Sequence, residues 1–198
     1  MNTAKNAVVY MAHCYPSGLV YHMAYLAREV ILISKSGDTE TYICSTEREQ
    51  FKGSWKMLRK GVPASNILIV NDYNEDVESK IGELFKQYQR VLVHFGGGHH
   101  QLRPFARLRK KFGKRLILVA TTHSFQVDSW RRIPVSCLQF LLYVKYVDHV
   151  IFQSPYTARV FAGGQWLLRH SKASIIPLGV EPFAEEGFKQ NPGHELGQ

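Results

Sequence analysis

Short apolar runs rich in β-branched residues recur along the whole chain, at Ala7–Met11, Thr41–Cys44, Ile67–Val70, Val91–Phe95, Leu116–Thr121, His149–Gln153 and Ser174–Pro177. Several are continuous rather than alternating, as strands buried on both faces of a parallel sheet are. Between them the apolar spacing becomes helical: Leu19, Met23, Leu26, Ala27 and Val30, then Phe51, Trp55 and Leu58, then Val77, Ile81, Leu84, Phe85 and Tyr88. Strand and helix alternate, which predicts a doubly wound, mostly parallel α/β sheet of seven strands with helices on both faces.

At 198 residues the chain has room for one domain with a full core. No Pro/Gly-rich linker or repeat divides it, so residues 1–183 are expected to form one domain. Residues 184–198 lose periodicity and gain Gly, Pro and Glu, as a tail or linker does. With 45% hydrophobic and 21% charged residues the chain can bury enough surface to fold, which excludes a disordered class. The richest apolar stretch, Pro134–Val147, is interrupted by Ser136, Gln139 and Lys145, so no bilayer-spanning helix is predicted. Lys5 precedes the apolar Ala7–Ala12, but His13 and Pro16 break the run, which reads as a first strand and not a signal peptide. Cys14, Cys44 and Cys137 are odd in number and lack metal or disulfide spacing, and a reducing cytoplasmic location is expected.

In such sheets ligands bind beyond the carboxyl ends of the strands, near the switch in strand order. The loop after the first strand, His13–Gly18, carries Ser17 and Gly18 into a helix start that could face an anion. It lacks both the G-x-G-x-x-G and the P-loop patterns, which disfavours a dinucleotide site. After the fourth strand comes His94-Phe95-Gly96-Gly97-Gly98-His99-His100, whose three consecutive glycines suit a tight turn or close approach of a ligand. Its histidines have no i, i+4 partner and no acidic third ligand, so they read as polar loop residues and not as a metal site. The fifth strand closes on Thr121-Thr122-His123-Ser124, which sets His123 at the strand end, with Asp128, Trp130, Arg131 and Arg132 downstream as a candidate wall.

The chain carries 25 Lys and Arg against 16 Asp and Glu, a net charge of +9, and this favours phosphate-bearing partners. From Arg103 to Arg115 run Arg103, Arg107, Arg109, Lys110, Lys111, Lys114 and Arg115 without an acidic residue. With Leu102, Phe105, Leu108 and Phe112 on the other face, this segment reads either as a helix on an anionic membrane surface or as a solvated face. Nucleic acid is the weaker partner, because no RNA-binding motif accompanies the charge.

The order and spacing of VLVHFGGGHH, LILVATTHS, YVDHVIFQSPYTARVF and SIIPLGVEPF resemble the N-terminal half of GT-B glycosyltransferases of the large retaining group called family 4. Asp148 and Ser154 match the family's Asp-led strand ending in Ser before a helix. Ile176–Glu181 matches its exit motif, with Leu178 for Asn and Glu181 for Asp. The resemblance spans about Ala7 to Phe183 and implies a Rossmann-like, mainly acceptor-binding domain. Many members bind membranes through a basic surface of this half. It implies transfer of a sugar from a nucleotide-sugar donor to a lipid-linked or polysaccharide acceptor, with no metal and no cofactor beyond the donor. His123, matching the family's T-x-H histidine, would contact the transferring sugar or donor phosphate. Ser17, Gly18, His94, Gly96, Gly97, Gly98, His99 and Arg132 would line the cleft, and Arg103, Arg107, Lys110, Lys111 and Lys114 would face a membrane. The short Pro16-Ser17-Gly18 departs from the family's longer glycine-rich first loop. The donor-gripping second domain does not fit after Phe183, so the chain alone is expected to be inactive. It would need a C-terminal donor-binding domain or a partner chain, in the cytoplasm or peripheral to the inner membrane face. The alternative is a non-catalytic subunit that recruits such a partner to a membrane or acceptor.

Overall fold

The structure, a computed structural model, describes residues 6–12, 18–33, 39–45, 62–96, 102–122 and 133–177. Seven strands form where the apolar runs predict them: β1 (Asn6–Met11), β2 (Thr39–Ser45), β3 (Ile67–Ile69), β4 (Arg90–Gly96), β5 (Leu116–Thr122), β6 (His149–Phe152) and β7 (Ala173–Ile175). All pair in parallel in the order β3-β2-β1-β4-β5-β6-β7. The helices are α1 (Gly18–Ile33), α2 (Tyr73–Leu84), α3 (Leu102–Phe112), α4 (Ile133–Tyr146), α5 (Pro155–Val160) and α6 (Gly164–Arg169). The predicted helix with Phe51, Trp55 and Leu58, and the tail 184–198, lie outside the described residues.

Alternation along β1 shows that the sheet is covered on both sides. Ala7, Val9 and Met11 join the large core, whereas Ala12 and the partly buried Tyr10 join a smaller cluster with Met23 and Ala27 of α1. The large core is filled from α2, α3 and α4 by Val77, Ile81, Phe105, Leu108 and Tyr143, all buried. Right-handed crossovers require this division: α1 follows β1 toward one sheet edge, while α2, α3 and α4 connect strands running to the other.

Local chemistry fixes the element ends. Asp72 caps α2 by accepting from the N–H groups of Asn74 and Glu75 at 2.9 and 3.0 Å. Asp76 accepts from the N–H groups of Asn71 and Asp72, and these bonds hold its carboxyl below the usual carboxylate range. The apolar spacing of α2 continues to Tyr88, yet the helix stops at Leu84, with Phe85 and Tyr88 buried in the following turn. Arg115 reaches that turn and donates to the carbonyls of Phe85, Tyr88 and Gln89. The guanidinium thus satisfies carbonyls that a longer helix would have bonded internally.

Asp148 and Ser154 have comparable structural roles. Asp148 accepts from the N–H of Leu118 at 2.8 Å and pairs with Arg109, tying the start of β5 to the segment entering β6. Ser154 is the N-cap of α5 in a reciprocal capping box with Thr157. Ala for Ser154 should cost about 1 kcal/mol.

Candidate functional site

β1 pairs with β2 on one side and with β4 on the other, and the chain leaves these two central strands in opposite directions. The crevice beyond their carboxyl ends is the topological switch point of the sheet, where open α/β sheets take their ligands. Among the described residues its floor and rim comprise Tyr10 and Ala12 of β1 and its exit, His94 and Gly96 of β4, and Thr121 and Thr122 of β5.

Register explains how these side chains meet. Tyr10 is opposite His94, and the two rings lie 5.4 Å apart and tilted by 52°. Gly96 is opposite Thr121, and His94 Nε2 shares a buried 2.7 Å hydrogen bond with Thr121 Oγ1. His94 is only 8% exposed, so its ring is held in place by β5 and β1 and does not project freely. Burial pushes the Tyr10 phenol up, keeping it neutral and able to donate.

Thr122 lies next along β5 and therefore turns to the other face of the sheet. It is 3% exposed, and its Oγ1 has no hydrogen-bond partner among the described residues. A buried hydroxyl in that state is costly to a fold unless something outside the domain's own packing satisfies it.

The structure brings His94 and Gly96 together at the crevice and puts Gly18 at the first position of α1. Ser17, Gly97, Gly98, His99, His123 and Arg132 lie outside the described residues. Arg103, Arg107, Lys110 and Lys111 are all exposed on α3, and Lys114 is exposed in the 3₁₀ turn that follows. Arg107 is partly spoken for, pairing with Glu78 of α2 at 3.1 Å. Arg109 and Arg115, which read in sequence as part of the same charge run, instead donate to backbone carbonyls, although Arg115 stays exposed. Among the described residues no three His, Cys, Asp or Glu side chains are grouped to hold a metal ion.

Tyr10 and the Thr121 and Thr122 hydroxyls join the site from the structure. Tyr10 lies inside an apolar run, and only its register opposite His94 gives it a place there. The threonines were visible as a strand end, but their opposite facings follow only from the pairing of β4 with β5.

No family model matches the sequence, and no curated protein sequence matches it. Solved structures do resemble the fold. Anabaena Alr3699/HepE in complex with UDP and glucose superposes with a TM-score of 0.55 at 13% identity, over 88% of this chain and 44% of that one. Its complex with UDP-glucose gives the same values. The N-terminal domain of Candida albicans trehalose-6-phosphate phosphatase gives a TM-score of 0.54 at 16% identity, over 89% of this chain and 49% of that one. This chain therefore shares the Rossmann-like α/β fold of these proteins and spans less than half the length of each chain.

Proposed function

We propose that this chain is the acceptor-side half of a GT-B glycosyltransferase that moves a sugar from a nucleotide-sugar donor to a lipid-linked or polysaccharide acceptor. The observation that carries the reading is the β1/β4 switch point. It is rimmed by His94, Thr121 and a buried Thr122 hydroxyl that has no partner among the described residues, within a fold shared over 88% of the chain with a protein captured with UDP and glucose. Residues 1–183 form this domain, and 184–198 lead toward the donor-binding half or its partner chain. The nucleotide sugar is the substrate, and neither a resident metal nor an organic cofactor is required.

In this reading His123, next along the chain from Thr122, contacts the transferring sugar or the donor phosphate and stabilises developing charge. His94 holds Thr121 and the end of β5 in position. Ser17, Gly18, Gly97, Gly98, His99 and Arg132 contact the acceptor and the donor phosphates. Much of the donor grip belongs to the second half, so the chain alone binds substrate weakly and transfers no sugar. The alternative, a non-catalytic subunit that recruits its partner to a membrane or acceptor, shares the prediction of inactivity in isolation.

Titration of UDP, UDP-glucose and oligosaccharide acceptors into the purified chain, followed by a transfer assay on the chain alone and joined to its second half, tests the proposal. Saturable acceptor binding by the chain and transfer only by the assembly are expected. In the assembly, His123→Ala should slow transfer roughly a hundredfold. Robust transfer by the isolated chain, or no binding of any sugar or nucleotide by the assembly, would overturn the reading.

A further inference from the structure

Thr122 and the first turn of α3 meet on one face of the sheet. Along β5, Leu118 and Ala120 belong to the large core, and Thr122, two residues further on, turns to that same face. α3 covers this face: it packs against β5, and its Phe105 ring lies 5.2 Å from that of Phe95, the β4 residue opposite Ala120. From Ala120 the strand rises ~6.6 Å to Thr122. α3 joins two parallel strands and so runs back along them, and from Phe105 to its first residue, Leu102, it climbs ~4.5 Å the same way. The Thr122 hydroxyl therefore stands at the level of the α3 N-terminus.

That helix end is built for a negative charge it does not contain. The N–H groups of Leu102 and Arg103 have no acceptor within the helix, and Pro104 has no N–H to offer. The positive end of a helix dipole favours Asp or Glu in the first turn and disfavours cations. α2 follows the rule, with Asp72 as its cap and Glu75 and Asp76 in its first turn. The first turn of α3 has no acidic residue and carries Arg103, which is exposed and pairs with no carboxylate among the described residues.

Thr122 makes the second, independent case. Its hydroxyl is buried, with 3% of the residue exposed, and has no partner among the described residues. A helix end without its anion and a buried hydroxyl without its acceptor thus stand side by side.

We infer that the N-terminus of α3 and Thr122 together bind a phosphate group, and that in the transferase proposed above this phosphate belongs to the acceptor. Only the assignment to the acceptor rests on that reading. A phosphate offers separate oxygens to the Thr122 hydroxyl, to the Leu102 and Arg103 N–H groups and to the guanidinium. A neutral sugar hydroxyl would satisfy Thr122 and leave Arg103 and the helix end uncompensated. α1 starts on the other face of the sheet, among Tyr10, Ala12, Met23 and Ala27, so this site is separate from the turn before α1. The acceptor class narrows accordingly, from lipid-linked or polysaccharide to one that carries phosphate.

Titration of inorganic phosphate into the full chain, followed through the backbone amide resonances, tests the site without any sugar. Saturable shifts at Leu102 and Arg103 are expected. Thr122→Val should weaken phosphate binding roughly tenfold, and Thr122→Ser, which restores the hydroxyl, should bind within about twofold of the native chain. Arg103→Gln should cost about threefold, and less in high salt. Shifts confined to Gly18 and the rest of α1, or undiminished binding by Thr122→Val, would overturn the site. Glucose 1-phosphate should bind more tightly than glucuronate or glucose, and the reverse order would overturn the assignment to phosphate. In the joined assembly, Thr122→Val should raise the KM for a phosphate-bearing acceptor and leave kcat nearly unchanged. An unchanged KM would overturn the assignment to the acceptor. Intact phosphate binding at α3 by an assembly that transfers no sugar would strike only the transferase reading.

Discussion

At the N-terminal end of β5 the Leu118 N–H and the Leu116 carbonyl are taken up by Asp148 and Arg109, whereas at its C-terminal end the buried Thr122 hydroxyl has no partner among the described residues. The strand is the same and both ends are well packed. At one end charges serve the backbone: the Arg109 guanidinium also bonds Tyr146 and pairs with Asp148, closing a network across three elements. At the other, Thr121 and His94 satisfy each other beside an unspent donor. In β5, therefore, the charged network lies at the amino end, and the hydroxyl without a partner among the described residues lies at the carboxyl end, the end beyond which open parallel sheets take their ligands.

The largest test of that contrast is Arg109→Ala. Bonds to Leu116 and Tyr146 and the pair with Asp148 disappear together, and the carbonyls at the start of β5 and at the end of α4 lose that partner. With 21% of the side chain exposed, a loss of about 3 kcal/mol is expected in urea unfolding, with ligand binding by the folded fraction unchanged. Arg109→Lys should recover only part of it, since one ammonium cannot span the three acceptors. Weakened binding without lost stability would show that the amino end also serves the crevice.

Thr122→Val reverses the signs. Valine keeps the shape and removes an unsatisfied buried hydroxyl, so urea unfolding should show a gain of about 1 kcal/mol while acceptor or nucleotide-sugar binding weakens. A destabilised valine variant would mean that the hydroxyl has a partner within the chain, and the contrast between the two strand ends would collapse.

The strands were legible because fully buried parallel strands leave continuous apolar runs, and all seven form within two residues of where those runs predict them. What escaped depends on contacts distant in sequence. Arg109 and Arg115 look like members of a surface charge run, and nothing local shows that they bend back to carbonyls of other elements. Phe85 and Tyr88 keep helical spacing beyond the end of α2 because burial in a turn can continue the pattern. Ser136 and Gln139 read only as interruptions of an apolar stretch, since which side of α4 faces inward is set by Phe140 under Gly163. The candidate site was marked in the sequence as strand ends carrying Gly, His and Thr. The pairing of His94 with Thr121 required the register of β4 against β5.

The smallest effect compares two phenols, Tyr143 in the core behind α4 and Tyr10 at the crevice. Burial pushes both up, most strongly for Tyr143, where the hydrogen bond with Gln139 opposes the shift only in part. Above pH ~10 the unfolded chain releases phenolic protons that the native state retains, so each tyrosine contributes stability that is complete below that pH and lost as pH rises. Half-ionisation in the unfolded state at pH ~10 corresponds to about 0.4 kcal/mol for a phenol that stays fully protonated when folded. Between pH ~8 and ~10, Tyr143→Phe should therefore lose about 0.4 kcal/mol less than the native chain. Tyr10→Phe should show a smaller difference of the same sign, because the Tyr10 side chain is only partly buried. If Tyr10→Phe flattened the pH dependence as much as Tyr143→Phe, the face of the crevice that holds Tyr10 and His94 would be as closed to water as the core.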